Sequence, residues 1–95
     1  MTSTVTALHS DLAIPPGELL AEELEVRGLT QSELAEQMGR PRQVISAIVH
    51  GKKAITAETA LQLEGALGIP AHLWIGLEGR YQLALARQAA AAKSA

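Results

Sequence analysis

The stretch LTQSELAEQMGRPRQVISAIVHGKK, residues 29–53, decides the fold of this chain. It holds two short apolar patterns at helical spacing, and a small residue, Ala35, lies where the first helix would press against the second. Gly39 stands between the patterns, where a turn needs a left-handed backbone and a Cβ would cost energy. Ile45 and Ile48 then supply the buried stripe of the second helix. Such a crossing predicts a helix-turn-helix, which presents its second helix to the major groove of DNA.

The first helix of this pair has a well-marked beginning. Thr30 is a good N-cap and Glu33 follows three residues later, which together form a capping box. Leu29 and Leu34 have the spacing of a hydrophobic staple around that cap. The sequence therefore predicts a helix that starts directly after Thr30 and ends at the glycine turn.

The second helix is predicted to have two opposed faces. Opposite its apolar stripe lie side chains that suit base edges, namely Arg42, Gln43, Ser46 and Ala47. Arginine can donate two hydrogen bonds to guanine, glutamine can pair with adenine, serine can serve several bases, and alanine can touch a thymine methyl group. An ordinary solvated helix face would have the same composition, and the surrounding turn is what favours base recognition.

Charge is distributed unevenly along the chain. The formal net charge of −2 gives no support to nucleic-acid binding by itself. However, residues 37–57 contain no Asp or Glu, and they hold Arg40, Arg42, Lys52 and Lys53. The two lysines suit phosphate contacts, although solvated loop lysines would give the same pattern. The acidic residues gather in the first predicted helix, at Glu18, Glu22, Glu23 and Glu25.

Three narrower motifs connect this sequence with a known family. They are PPGE at residues 15–18, GKKAIT at residues 51–56 and HLWIGLEGRY at residues 72–81. Together with the helix-turn-helix stretch, the run from residue 14 to residue 82 resembles the HigA-type (VapI-like) antitoxins of the Xre/Cro helix-turn-helix class. The helix-turn-helix part is shared by the whole repressor class, and the three motifs favour the antitoxins.

The resemblance implies a dimeric antitoxin that binds the promoter of its own operon and neutralises a cognate toxin. Toxins of the HigB type are small, basic, ribosome-dependent mRNA endonucleases, and the acidic first helix is one candidate surface for them. An ordinary solvated face is the other interpretation of that helix. The resemblance places Arg42, Gln43, Ser46 and Ala47 at base-facing positions, and Gln31, Lys52 and Lys53 near phosphates.

The sequence departs from the family pattern where the second helix begins. Arg40 and Pro41 replace an apolar residue followed by Ser or Thr. Proline is tolerated at the first helical position, but the capping oxygen is lost, at a cost of about 1 kcal/mol. Arg40 is expected to add a phosphate contact. The departure bears on which DNA sequence is recognised more than on DNA binding itself.

The whole chain predicts one all-α domain of five helices with a lambda-repressor-like arrangement. Residues 1–14 are expected to form a flexible N-terminal arm, residues 15–88 the helix-turn-helix domain, and residues 89–95 a frayed C-terminal tail. Gly28 ends the first helix, Thr56 and Gly68 bound the fourth, and Pro70 opens the fifth. No apolar run reaches the roughly 20 residues of a membrane span, and no signal-sequence pattern is recognised. The expected location is therefore the cytoplasm.

The fifth helix carries a further apolar stripe, made of Trp74, Leu77, Tyr81 and Leu85. Such a stripe is typical of a core, but the first four helices can already close a core. A dimer interface and a core are therefore equal interpretations of these residues. A twofold dimer would set its recognition helices about 34 Å apart, which matches one turn of a palindromic operator.

Catalysis and metal binding find little support in the sequence. Ser46 and His50 are four residues apart on one helical face, but no Asp or Glu stands nearby to orient the histidine. The chain has no cysteine, and its histidines lack ligand spacing. The sequence predicts a non-enzyme without cofactor or metal, whose partners are double-stranded DNA, a second copy of itself and, by the resemblance, a HigB-like toxin. The alternatives are a stand-alone Xre-type repressor and a protein-interaction adaptor that has lost DNA binding.

Overall fold

Five α-helices follow one another along the chain in the computed structural model, which describes residues 13–94. They are α1 (Pro16–Arg27), α2 (Gln31–Met38), α3 (Arg42–Val49), α4 (Ala57–Leu67) and α5 (Ala71–Ser94). The described residues contain no strand. The predicted all-α class with five helices is confirmed. The predicted arm at residues 1–14 lies outside the described residues, apart from Ala13 and Ile14.

Local hydrogen bonds fix where α2 and α4 begin. The Glu33 N–H donates to Thr30 Oγ1 over 3.0 Å, and the Thr30 N–H donates to Glu33 Oε1 over 2.8 Å. The predicted capping box is therefore present. At the start of α4, the Thr59 N–H donates to Thr56 Oγ1 over 3.3 Å. Both caps satisfy N–H groups that no helical carbonyl can reach.

A glycine in the left-handed region closes the turn between α2 and α3. Gly39 has φ 67° and ψ 34°, and the Arg40 N–H donates to the Ala35 carbonyl oxygen over 2.9 Å. This is a Schellman ending, which satisfies carbonyls at the end of a helix before the chain reverses. The predicted glycine turn is confirmed, and it brings α3 across α2.

All five helices contribute to one core. Its fully buried members include Leu20 of α1, Leu34 of α2, Ile45 and Ile48 of α3, Leu63 of α4 and Trp74 of α5. The helix α3 packs against α1 and α2, while α4 packs against α2 and α5. Burial of each large apolar side chain contributes about 1.5–3 kcal/mol. The inner side of α3 is therefore held firmly.

Trp74 does not belong to a dimer interface, which was one of the two interpretations of its stripe on α5. Its side chain has 0% of its surface exposed, so it belongs to the core of the monomer and has no surface to offer a second copy. The helix α5 packs along α4 and α1, and this packing turns the first aromatic residue of its stripe inward.

The helix α5 is also longer than predicted. It continues to Ser94, so residues 89–94, which were expected to belong to a frayed tail, are helical. Residues 89–92 are all alanine, which has the highest intrinsic helix propensity and needs no packing partner to stay helical within a longer helix. In the part of the chain that the structure describes, no helix is both long and apolar enough to cross a membrane.

Candidate nucleic-acid interface

The helix α3 has one buried and one accessible side. Ile45 and Ile48 point into the core with 0% and 1% of their surface exposed. The accessible side carries exposed Arg42 and Gln43 and half-buried Ser46 and Ala47. The structure thus brings the four predicted base-facing residues together on the outer side of one helix, where another molecule can reach them.

The helix α3 begins without a capping side chain. Pro41 is the N-cap residue, with φ −63° and ψ 146°, and Arg42 is the first helical residue. The sequence predicted proline at the first helical position, and the structure places it one residue earlier because its backbone is extended rather than helical. The first turn holds no acidic residue, so no side chain there neutralises the positive end of the helix dipole.

Arg40, directly before this cap, was predicted to contact a DNA phosphate, but in the structure its side chain bonds to α4. Its Nη1 atom donates to Gln62 Oε1 over 2.9 Å and lies 3.4 Å from Thr59 Oγ1. Both acceptors belong to α4. A phosphate contact was expected of Arg40, whereas its half-buried guanidinium links the turn to α4.

A second glycine turn carries the chain from α3 into the lysine loop, residues 51–56. Gly51 has φ 72°, and the N–H groups of Gly51 and Lys52 donate to the carbonyl oxygens of Ile48 and Ala47 over 3.1 and 2.8 Å. This Schellman ending sets the direction in which Lys52 and Lys53 emerge. Both lysines are exposed and available to an anion.

Glu78 fixes the far end of the lysine loop and was not foreseen from the sequence. The residue is 8% exposed. Its Oε1 accepts from the Ile55 N–H over 2.9 Å, and its Oε2 accepts from Gln82 Nε2 over 2.7 Å. The lysine loop is thus bonded to α5. The available signal was a carboxylate beside the apolar stripe of α5, since a buried carboxylate requires partners.

Gly17 of α1 lies against the end of α3 and was likewise not foreseen. A Cβ at this position would overlap the carbonyl oxygen of Ile48 and stand 2.7 Å from that of Val49. Only glycine permits two backbones to approach this closely. In the sequence, Gly17 belongs to the PPGE motif at residues 15–18, which indicated the family but not this close contact with α3.

Gln31 opens α2, and its side chain is half-buried. Its Oε1 atom has no hydrogen-bond partner within residues 13–94. Nearby, the backbone N–H of Thr30, and secondarily its hydroxyl, hold the pKa of Glu33 below its usual range. A phosphate at this N-terminus would meet the amide of Gln31 and the helix dipole, with the charge of Glu33 opposing it.

Ser46 and His50 lie together at the end of α3. Ser46 Oγ is 3.4 Å from His50 Nδ1, and the same ring nitrogen is 2.8 Å from the Ser46 carbonyl oxygen. The backbone therefore orients the imidazole, and no carboxylate of the described residues is bonded to it. No group of His, Asp or Glu between residues 13 and 94 is arranged to hold a metal ion.

The predicted dimer residues do not all share one surface, since Trp74 is buried. Leu77 and Tyr81 are half-buried and line an apolar groove of about 550 Å³ between α5 and residues 14–19. Leu85 is 38% exposed, and Leu83, which lines the same groove as Leu77, is 50% exposed. Leu83 was not part of the predicted stripe, because it falls between the regular positions of Trp74, Leu77, Tyr81 and Leu85.

The chain matches known proteins along most of its length. The family described as helix-turn-helix matches residues 20–74, which include α2, α3 and the lysine loop. Virulence-associated protein I of Dichelobacter nodosus is 39% identical over 77 residues, which cover 80% of this chain and 71% of that protein.

Two solved structures share the fold. An addiction module antidote protein of the HigA family from Coxiella burnetii has a TM-score of 0.79 and 34% identity, over 85% of this chain and 89% of that one. The antitoxin HigA of Pseudomonas aeruginosa, solved with the higBA promoter, has a TM-score of 0.81 and 28% identity, over 86% of this chain and 90% of that one.

Proposed function

We propose that this chain, which belongs to the helix-turn-helix family and within it to the HigA antitoxins, binds the operator of its own operon as a homodimer and represses it. The observation that carries the proposal is that one side of α3 is accessible while its other side is held in the core by Ile45 and Ile48. The relative solved with promoter DNA supports the same use of this fold. The protein acts by binding rather than by catalysis, and it acts in the cytoplasm, where bacterial operators lie.

Sequence is read, in this proposal, by the outer side of α3. Arg42 and Gln43 lie in the first turn of α3, and they are assigned to base edges in the major groove because their side chains can make paired hydrogen bonds. Ser46 and Ala47 lie one turn later and make the shorter contacts. His50, bonded to the backbone of Ser46, borders this surface.

Phosphate contacts fix the register of the protein on the duplex. Lys52 and Lys53 follow the end of α3, and Gln31 opens α2. We assign all three to the DNA backbone, since contacts of this kind position a protein without reading its sequence. The net charge of −2 makes such a local basic patch the main electrostatic attraction for DNA.

The test compares loss of specificity with loss of affinity. Replacing Arg42 or Gln43 by alanine is expected to weaken operator binding by about 1–3 kcal/mol and to leave binding to unrelated DNA nearly unchanged. Replacing Lys52 by alanine is expected to weaken both, and to lower the slope of log K against log salt by about 1. Fluorescence anisotropy with the DNA upstream of this reading frame, at several salt concentrations, measures both quantities.

Lys93→Ala is the matched control, because it removes one positive charge at the far end of α5. It should change neither the affinity for DNA nor the salt slope. Equal loss of specificity in the Arg42 and Lys52 variants would show that the division of roles is wrong. A wild-type chain without preference for its upstream DNA would contradict the proposed function and favour the adaptor.

Neutralisation of a HigB-like toxin is proposed from family membership. The helix α1 offers an acidic surface with Glu18, Glu22 and Glu25 exposed, which complements a basic nuclease. Co-purification with the product of the adjacent reading frame, and its loss on Glu22→Lys with Glu25→Lys, would support that surface. A chain that represses its operon without binding that product is a stand-alone repressor.

A further inference from the structure

We propose that Arg40 is a positioning residue, which fixes the beginning of α3 by bonding the turn before it to α4. The role deepens the proposed function, because the start of α3 carries Arg42 and Gln43. It is distinct from the phosphate contact that the sequence suggested for Arg40.

The need for such a link arises from the way α3 is held. Its two fully buried residues, Ile45 and Ile48, are the fourth and the seventh of its eight residues. The first two residues are exposed, and Pro41 offers no side chain to their N–H groups. The first turn of α3 is therefore the part of the helix least secured by its own residues.

Arg40 supplies an anchor from outside the helix. Its backbone is fixed by the bond from its N–H to the Ala35 carbonyl oxygen, and its guanidinium donates to Gln62 over 2.9 Å. The second acceptor, Thr59 Oγ1, is 3.4 Å away and belongs to a residue only 1% exposed. Thr59 Oγ1 in turn accepts from the Thr56 hydroxyl over 3.1 Å. The anchor is thus the capped first half of α4.

The chemistry of the pair suits this role. A guanidinium presents several donors in one plane, so a single side chain can reach two acceptors on successive turns of α4. The acceptors are uncharged, so replacing Gln62 changes no charge, and replacing Arg40 leaves no carboxylate without its partner. Because α3 packs on α1 and α2, the Arg40 link ties the start of α3 to a third helix.

The first test needs no DNA. Arg40→Met removes the donors with little change in length, and Gln62→Leu removes the main acceptor without changing any charge. Both are expected to raise the amide exchange rates at residues 44–46 roughly tenfold, the effect of losing one half-buried hydrogen bond to a charged group. Val44 is the first of these, since its N–H donates to the Pro41 carbonyl oxygen over 3.0 Å. Exchange at Leu63, in the core of α4, should not change.

Lys93→Met is the control for lost charge, and the Arg40→Met, Gln62→Leu double variant is the control for coupling. The double variant should resemble either single one, because both remove the same bond. Unchanged exchange at residues 44–46 in the single variants would overturn the proposal, whatever happens to DNA binding.

The second test uses DNA and separates positioning from direct contact. Positioning predicts that both single variants lose operator affinity to a similar extent, about tenfold or less, with an unchanged salt slope. A salt slope lowered by about 1 in Arg40→Met alone would show a phosphate contact and overturn the proposal. If the wild-type chain binds no operator while the exchange result holds, the proposed function fails and the anchoring of α3 stands.

Discussion

Gly17 sets the distance between α1 and α3, because its backbone lies against the carbonyl groups of Ile48 and Val49. Gly17→Ala is expected to lower the free energy of unfolding by about 1–3 kcal/mol, because the new methyl group has no space beside the carbonyl oxygens of Ile48 and Val49. Urea denaturation measures the loss. Operator affinity should fall as well, since α3 must shift to accept the methyl group.

Gly65 provides the matched control for this prediction. It lies inside α4 and is exposed, and a Cβ there would meet nothing within 4 Å. Gly65→Ala should therefore stabilise the protein by about 0.5–1 kcal/mol, as expected for alanine in place of glycine within a helix. If the Gly17 and Gly65 variants were equally stable, the close approach of α1 to α3 would not be a constraint on the fold.

At the scale of the element, the cap of α2 gives stability a dependence on pH. Bonding to Thr30 holds the pKa of Glu33 below its usual range, so the ionised carboxylate stabilises the folded state above the ordinary pKa of glutamate, about 4.3. This contribution disappears as the pH falls through the lower pKa of the folded state. Glu33→Gln should lose stability at neutral pH and match the wild type in acid.

Thermal unfolding between neutral and acid pH measures that difference, with Glu36→Gln as the control. Glu36 is exposed on the same helix but takes no part in the cap. If the difference in unfolding temperature between wild type and Glu33→Gln stayed constant with pH, the charge of Glu33 would contribute nothing to the cap.

The elements that the sequence predicted well are those whose signals are local. Thr30 and Glu33 form their capping box within four residues, and Gly39 ends α2 through bonds to the preceding turn. The exposed and buried sides of α3 were predicted for the same reason, since opposite sides of a helix follow from spacing alone.

What the sequence left open depends on contacts between distant residues. Trp74 could lie in a core or an interface, and only the packing of α5 on α1 and α4 settles that it is buried. The role of Glu78 depends on Ile55, 23 residues earlier, and Arg40 meets Gln62, 22 residues later. The helical state of residues 89–92 was not predicted, although alanine has the highest intrinsic helix propensity.

At the scale of the whole molecule, we propose that the homodimer forms through the accessible part of the α5 stripe, namely Leu77, Tyr81 and Leu85. Leu85→Glu is expected to raise the dimer dissociation constant about tenfold or more. A twofold interface would lose the remaining burial of two leucines and would have to accommodate two carboxylates instead. The side chain is 38% exposed, so the monomer should still fold. Light scattering after size exclusion measures the mass.

Leu61→Glu is the control for this substitution. Leu61 is 60% exposed on α4, away from the groove, and the same change there should leave the mass unchanged. A Leu85→Glu variant that remained dimeric would place the twofold contact elsewhere, and a wild-type monomer would contradict the dimer itself.

The way α3 is held, through its inward side only, has a consequence for the evolution of such proteins. Its inward residues and its backbone contact with Gly17 hold it in place, so the outward ones add little to folding. Duplicated copies within one genome can therefore diverge at Arg42 and Gln43 almost free of any folding penalty. With Arg42 and Gln43 assigned to base edges, as proposed above, each copy would then bind a different promoter.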